Sequence, residues 1–317
     1  ACRSTELGVI SQMITDNLAE IPHQMECFGI AFRPGERSAL KVDGRRHTCG
    51  KGGKFWYKLR EMRLNSGRVL VVGSFGSYKT GNSERVDINW AEVSEEEKAR
   101  WRAQREAAEA IERAERAREA EEAACSAAEL WRRGRPEGQS PYLQRKGVEG
   151  ESCRYMRDGS ILVPLIRYDF ERAQALRGVQ RIYGGPRFHW RTQEELPQKV
   201  FTKNFDKPGC ATRLGLVAAG EPIVACEGYA TGLSIRMATE RRWPVFVALD
   251  AGNLLPVLRI LRGLYPTSPL VVAADDDWKT KDHLGRPDNV GRRKANEAAK
   301  EVQGCLVAYP AFGPTRP

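Results

Sequence analysis

The sequence has no run of about 18 apolar residues, and its first residues lack the basic, apolar and small-residue order of a signal peptide. Neither a transmembrane helix nor a secretory leader is expected, so we expect a soluble, cytoplasmic protein. The eight cysteines are scattered without a CxxC pair, which favours reduced thiols over a disulfide framework. His23, Cys27, His47 and Cys49 follow no common zinc spacing, and no zinc is expected.

A phosphate-binding loop is also absent. The stretch from Gly73 to Thr80 contains glycines, a lysine and a threonine, but Lys79 does not follow a glycine as that motif requires. The stretch therefore predicts a turn-rich hairpin, and no ATPase or helicase site is expected there.

Positive charge is what the sequence has in excess. The formal net charge is +10, and residues 172–213 hold nine basic side chains against three acidic ones. A surface this basic attracts polyanions, so we expect this segment to contact nucleic acid.

Composition divides the chain into four predicted segments. Residues 1–93 hold short β-rich runs between glycines and predict a small mixed or mainly β domain. Residues 94–134 are rich in Ala, Glu and Arg and begin with the capping box Ser94–Glu97, which predicts a long, solvated helical connector. A nucleic-acid-binding helix is the alternative, although the net charge of this segment is negative.

The remaining residues predict two further parts. Residues 135–217 alternate apolar runs with glycine turns and predict a β-rich, basic subdomain. Residues 218–317 have the pattern of an open α/β sheet with buried parallel strands. Three continuous apolar runs predict the strands, at Ile223–Cys226, Val245–Leu249 and Leu270–Ala274. Segments of helical length lie near 229–241, 252–263 and 290–301.

Acidic residues follow each of these three apolar runs. Glu227 follows the first run, Asp250 the next, and Asp275, Asp276 and Asp277 the last. Ligands of open α/β sheets bind beyond the carboxyl ends of the strands, and hard oxygen ligands there select Mg²⁺ or Mn²⁺. Because residues i and i+2 point the same way along a strand, Asp275 and Asp277 should aim together, with Asp276 turned aside.

The motifs around these acids resemble a known family. Glu227–Ser234 reads EGYATGLS, Ala248–Leu254 reads ALDAGNL and Ala274–Asp277 reads ADDD. Together they resemble the Toprim domain of primases from conjugative plasmids and phages. Upstream, Ser140–Gly147 and Lys199–Gly209 are similar to the block that precedes this domain in those primases.

This resemblance implies a C-terminal Toprim domain with a Rossmann-like parallel sheet, acting as a DNA primase. It implies that Glu227, Asp275 and Asp277 are catalytic, with Asp250 and Asp276 as additional metal ligands. Glu227 is either a ligand or a general base, and Asp250 is alternatively a helix N-cap. Phosphate contacts are expected from four basic side chains, those of Arg181, Lys199, Lys203 and Lys207.

The partners implied are single-stranded DNA, nucleoside triphosphates and a replicative helicase or a further C-terminal domain. Lys199, Phe201 and Lys203 are spaced to share one face of a strand, where Phe201 would stack on a base. The alternative for these lysines is a solvated edge strand. Alternatives for the whole protein are a Toprim nuclease or topoisomerase fragment, although no tyrosine nucleophile is identified, or a non-catalytic DNA-binding module.

Overall fold

A computed structural model describes residues 17–78, 82–281 and 286–311 of the chain. The chain folds as two compact units, residues 1–111 and 112–317, and the division falls inside one long helix. No helix in the described part of the chain combines the length and apolar character needed to cross a membrane.

Unit 1 (residues 1–111) is built on an antiparallel sheet. Its elements are helix α1 (Ile21–Cys27) and strands β1 (Asp43–Cys49), β2 (Phe55–Arg63), β3 (Val69–Ser77) and β4 (Ser83–Arg85), paired in chain order. Burial alternates along β2 from Phe55 to Leu59, because successive side chains of a strand face opposite sides of the sheet. Ile21 and Met25 of α1 pack in one core with Tyr57 and Leu59 of β2.

The glycine-containing stretch of unit 1 lies mainly in a strand. Gly73 to Ser77 belongs to β3, which pairs antiparallel with β4, so a hairpin is present but most of the stretch is not a turn. The predicted turn residues Lys79 and Thr80 lie outside the described residues.

Helix α2 (Glu95–Arg133) begins with the predicted capping box. The Ser94 backbone N–H donates to Glu97 Oε2 at 2.9 Å, and the Glu97 N–H donates to Ser94 Oγ at 3.3 Å. The sequence predicted a solvated connector, but one part of the helix is covered by other residues. Ala120, Ala123, Ala124 and Ala127 are buried, because small alanines let the helix lie close to a sheet of unit 2.

Unit 2 (residues 112–317) begins with the second half of α2 and continues with a basic antiparallel sheet. Its elements are α3 (Pro141–Lys146), β5 (Arg154–Tyr155), β6 (Ile161–Ile166), β7 (Leu176–Ile182), β8 (Arg187–Phe188), β9 (Glu195–Leu196) and β10 (Lys199–Phe201). The sheet order is β10-β7-β6-β5, and β8 and β9 form a separate hairpin. Arg177 of β7 is buried and its Nη2 lies 2.5 Å from Glu121 Oε1 of α2, which fixes the helix to this sheet.

The rest of unit 2 forms a five-stranded sheet. Its elements are β11 (Thr212–Leu214), β12 (Ile223–Cys226), α4 (Tyr229–Ala238), β13 (Val245–Val247), α5 (Leu254–Leu264), β14 (Leu270–Ala273), α6 (Val290–Glu301) and β15 (Cys305–Ala308). The order is β11-β13-β12-β14-β15, with every pair parallel except β11 with β13. The three predicted strands are the three central ones, whereas the edge strands β11 and β15 were not predicted.

The two sheets of unit 2 pack together. Ile161, Val163 and Ile182 of the antiparallel sheet share one core with Val224 and Val247 of the parallel sheet. Thr212 Oγ1 donates to the Pro164 carbonyl at 2.6 Å, and an isolated bridge pairs Ile166 with Ala211. The basic sheet is therefore placed beside the parallel sheet whose strands end in acids.

Candidate active site

The acidic residues lie at the carboxyl edge of the parallel sheet. Glu227 directly follows the central strand β12, which pairs in parallel with both β13 and β14. Asp250 follows β13 after Ala248 and Leu249, and Asp275 follows β14 after Ala274. Since neighbouring parallel strands end at the same edge, the topology brings the three acidic segments to one place.

The electrostatics of Glu227 show how close the carboxylates are. Burial, followed by the negative charges of Asp275, Asp277 and Asp250, raises the pKa of Glu227 to about 7. Burial and the charge of Asp277 likewise raise the pKa of Asp275, while Lys199 opposes the rise. The edge is thus an acidic cluster in which the ionised state is costly without a cation.

Glu227 also has an unsatisfied oxygen. Its Oε1 is buried and has no hydrogen-bond partner among the described residues. A buried carboxylate oxygen without a donor fits a cation ligand, because a divalent cation would supply the missing positive partner. As the side chains stand, no three His, Cys, Asp or Glu residues in the described part of the chain are grouped to hold a metal ion. Mg²⁺ commonly takes only one or two protein carboxylates, with water and substrate phosphates completing its coordination.

Asp276 has a different environment from its neighbours. Its side chain is 1% exposed, and Arg292 Nε lies 2.8 Å from its Oδ1. Asn289 Nδ2 donates to the same oxygen at 2.5 Å. Asp276 is turned into the protein, as the alternation argument predicted, and this placement argues against the direct metal contact that was also expected of it.

Asn289, which the sequence analysis missed, organises the acidic loop. Its Oδ1 accepts from the Asp277 N–H at 3.0 Å and from the Arg292 N–H at 3.1 Å, so it caps α6 and holds the loop. Asp277 Oδ2 accepts from the Gly291 N–H at 3.0 Å. A Cβ at Gly291 would lie 2.5 Å from the Asp275 carbonyl oxygen, so only glycine lets the helix approach this closely. An Asn just before a helical segment was the available sequence signal.

Asp250 has the helix-capping contact that was the alternative to a metal ligand. Its Oδ1 accepts from the Asn253 N–H at 3.1 Å, and its Oδ2 accepts from Lys207 Nζ at 2.5 Å. The preceding Leu249 has φ of +77°, a left-handed conformation that is strained for a residue other than glycine. Asp250 is thus oriented toward Lys207, and its charge still acts on Glu227.

Asn253 holds the Lys207 loop at this site. It is buried, and its Nδ2 donates to the carbonyls of Cys210 and Ala248, each at 2.8 Å. Its Oδ1 accepts from the Gly209 N–H at 2.8 Å. The Asn of the ALDAGNL segment therefore positions the loop, a role that the sequence analysis did not assign.

The predicted basic residues separate into different environments. Lys199 is exposed as a residue, but burial around its ammonium and the charge of Lys146 lower its pKa, with Asp275 opposing. Lys199 therefore lies near both the acidic cluster and Lys146, a basic residue that was not predicted. Lys203 is exposed in a turn after β10, which ends at Phe201, so it does not share a strand face with Lys199.

Arg181 and Phe201 already have partners within the protein. Arg181 Nη2 donates to Asp158 Oδ2 at 2.7 Å, and its Nε donates to Ser160 Oγ at 2.9 Å. The ring of Phe201 stacks on that of Phe205, with centroids 5.7 Å apart. To bind a phosphate, Arg181 would have to give up its contacts with Asp158 and Ser160. To stack on a base, Phe201 would have to give up its contact with Phe205.

These observations define an α/β protein with a carboxylate cluster at the edge of a parallel sheet and lysines beside it. No family model matches the chain. The chain is 32% identical over 293 residues to a DNA primase TraC of Escherichia coli, and the match covers 86% of this chain and 18% of that protein. A further DNA primase TraC of Escherichia coli is 37% identical over 124 residues, covering 38% of this chain and 11% of that protein. The resemblance to a DNA primase is confirmed, and the chain spans less than a fifth of these relatives.

Solved structures of primases are also similar to the chain. The primase fragment of the bacteriophage T7 primase-helicase protein matches at a TM-score of 0.32 and 14% identity, over 53% of this chain and 59% of that one. The DnaG catalytic core matches at a TM-score of 0.33 and 15% identity, over 57% of this chain and 58% of that one. At these TM-scores the similarity says nothing about the acidic cluster.

Proposed function

We propose that this chain carries the catalytic part of a DNA primase, with a Toprim domain formed by the parallel sheet and its helices. The reaction is synthesis of short RNA primers on a single-stranded DNA template, in plasmid or phage replication. The observation that carries the proposal is the half-buried carboxyl of Glu227, whose buried Oε1 has no hydrogen-bond partner among the described residues and whose pKa is raised. Glu227 lies between the acids that follow β13 and β14, the two strands on either side of β12.

In this reaction the 3′-hydroxyl of one nucleotide attacks the α-phosphorus of the next. An oxygen–phosphorus bond forms, the bond to the β-phosphate oxygen breaks, and pyrophosphate and the hydroxyl proton leave. Mg²⁺ or Mn²⁺ bound at the site would activate the attacking oxygen and stabilise the leaving one. Glu227, Asp275 and Asp277 are the residues that would hold it, since each lies at the sheet edge and their charges act on one another.

The basic residues contribute differently to the proposed site. Lys199 and its neighbour Lys146 place positive charge beside Asp275, where they would meet the triphosphate. Lys203 is exposed and would contact the template or triphosphate from the turn. Lys207 and Arg181 are held by Asp250 and Asp158, so we propose that they position the surrounding loops. The partners are thus the template, nucleoside triphosphates and a replicative helicase or further domain.

The test is incubation of the chain with single-stranded DNA, Mg²⁺ and ribonucleoside triphosphates, followed by analysis of both the nucleotides and the DNA. Labelled oligoribonucleotides that require template and Mg²⁺ are expected. Shortened DNA without oligoribonucleotides would show a nuclease and contradict the proposal. DNA binding with neither product would show a non-catalytic module and contradict it equally.

A further inference from the structure

Unit 1 contains a cleft that the proposed catalytic function does not use. It has a volume of about 760 Å³, in the range of sites that bind small ligands. It lies between β2, β3 and β4 on one side and the first turns of α2 on the other. Its lining includes two tryptophans and six basic side chains, namely Trp90, Trp101, Lys58, Arg60, Arg85, Lys98, Arg102 and Arg105.

The charge of the cleft is strongly positive. Glu109 is the one acidic side chain in the lining, and Arg105 Nε lies 3.5 Å from it. Outside the lining, Glu95 lies 2.8 Å from Lys98 and 3.9 Å from Arg102. Even with both acids counted, basic side chains outnumber them three to one. Glu95 is largely exposed, and such surface ion pairs are weak enough to exchange for phosphates.

The tryptophans give the cleft a second kind of contact. Trp90 is 41% exposed, an unusual position for the largest aromatic side chain. Trp101 is half-buried and packs on the cluster that includes Met62 and Val93, so its ring is held in place. Tryptophan side chains surrounded by lysines and arginines are typical of proteins that bind single-stranded nucleic acids. The bases stack on the indole rings while the phosphates contact the basic side chains.

Gly73 of β3 is one of the residues that line the cleft. A Cβ there would lie 2.1 Å from the Lys58 carbonyl oxygen, so β2 and β3 come together only with glycine at this position. Gly73 therefore lines the cleft without a side chain, next to Val72, Ser74 and Val86.

We propose that this cleft binds a single-stranded nucleic acid, with bases stacked on Trp90 and Trp101 and phosphates held by the surrounding lysines and arginines. The site uses residues of unit 1 alone. It goes beyond the proposed primase activity, and it stands whether or not the acidic cluster of unit 2 catalyses nucleotidyl transfer.

The first test is fluorescence anisotropy of the whole chain with a labelled single-stranded oligonucleotide, without nucleotides or divalent cations. In the double variant Arg85→Ala, Arg102→Ala, the slope of log affinity against log salt concentration should become shallower by roughly 1.4, because two phosphate contacts are lost. Trp90→Ala should weaken binding by about fivefold or more, and Trp90→Phe should retain most of the affinity because a ring remains. The exposed pair Arg37→Ala, Lys41→Ala, outside the lining, is the matched control and should bind as the wild type.

The location is tested by photocrosslinking with a bromodeoxyuridine-containing strand and mass spectrometry of the peptides. Crosslinks at Trp90 or Trp101 are expected, with DNA and RNA single strands competing and a duplex of the same sequence competing poorly. Unchanged affinity in the folded variants, with crosslinks confined to residues 112–317, would overturn the proposal. Equal binding of duplex, or competition by an acidic peptide as strong as by the single strand, would also overturn it.

Discussion

Glu227 is the residue on which the charges of the acidic cluster act together. It follows the central strand β12, so acids that follow the strands on both sides act on it. A carboxyl with its ordinary pKa of 4.5 raised to about 7 binds its proton more tightly in the folded protein than in the unfolded chain. Without a cation, the folded state therefore loses stability as pH rises through this window.

The variant Glu227→Gln removes this loss while keeping the size of the side chain. Without divalent ions it should unfold at a higher temperature than the wild type above pH 7, and at nearly the same temperature below pH 4.5. After allowance for solvent screening of a partly exposed group, the gain is on the order of 1–2 kcal/mol. Thermal unfolding of both proteins at pH 4 and pH 8 measures it. A difference that does not change between the two pH values would contradict the raised pKa.

At the scale of elements, the site depends on how loops are attached to helix ends. The loop after β14 is held on the N-terminus of α6 through Asn289, which contacts the Asp276 side chain and the Asp277 backbone. Because Asn289 caps α6 and also contacts the acidic loop, the stability of α6 is coupled to the orientation of the carboxylates in that loop. Asn289 is therefore a positioning residue in this account.

Two substitutions separate the capping and positioning contacts of Asn289. Asn289→Ala removes the cap and should lower the stability by about 0.5–2 kcal/mol, while Asn289→Ser keeps a capping oxygen and should recover much of that loss. Neither variant keeps the donor to Asp276, so both should bind Mn²⁺ more weakly than the wild type. Thermal unfolding and Mn²⁺ titration by electron paramagnetic resonance measure the two effects. Full metal affinity in both variants would show that Asn289 acts on stability alone.

Much of the element order could be predicted from local patterns. The three central strands are continuous apolar runs, and helices were predicted near 229–241, 252–263 and 290–301, close to where α4, α5 and α6 lie. The edge strand β15 was not predicted, although Cys305–Ala308 is a continuous apolar run of four residues. The short strand β11 was missed because three residues give no periodicity.

Side-chain partners could not be predicted in the same way. Arg181 and Lys207 were predicted to contact phosphates, and their partners within the protein, Asp158 and Asp250, are distant in sequence. The packing of the second half of α2 on the antiparallel sheet, both within unit 2, was also missed, because Ala, Glu and Arg favour a helix whether or not one face is covered. Tertiary contacts of this kind depend on which elements meet, and local propensity does not contain that information.

At the scale of the whole molecule, two basic regions accompany one acidic edge. The chain carries a net charge of +10, with a basic cleft in unit 1 and basic residues in the antiparallel sheet of unit 2. In unit 2 the antiparallel sheet that carries those residues shares a core with the parallel sheet whose strands end in acids, so the proposed nucleotide contacts lie in the unit that carries the proposed catalysis. In the proposed reaction, Asp275 and Asp277 at that edge hold the cation for nucleotidyl transfer.

The most direct measurement of that claim is primer synthesis by Asp275→Asn and Asp277→Asn, each compared with the wild type on the same template with Mg²⁺. Each change removes a ligand charge at nearly constant volume, so synthesis should fall by at least about a hundredfold while the fold and template binding remain. Asp206→Asn, at an exposed position outside the cluster, is the matched control and should be as active as the wild type. Synthesis within a few-fold of the wild type in both folded variants would contradict the account.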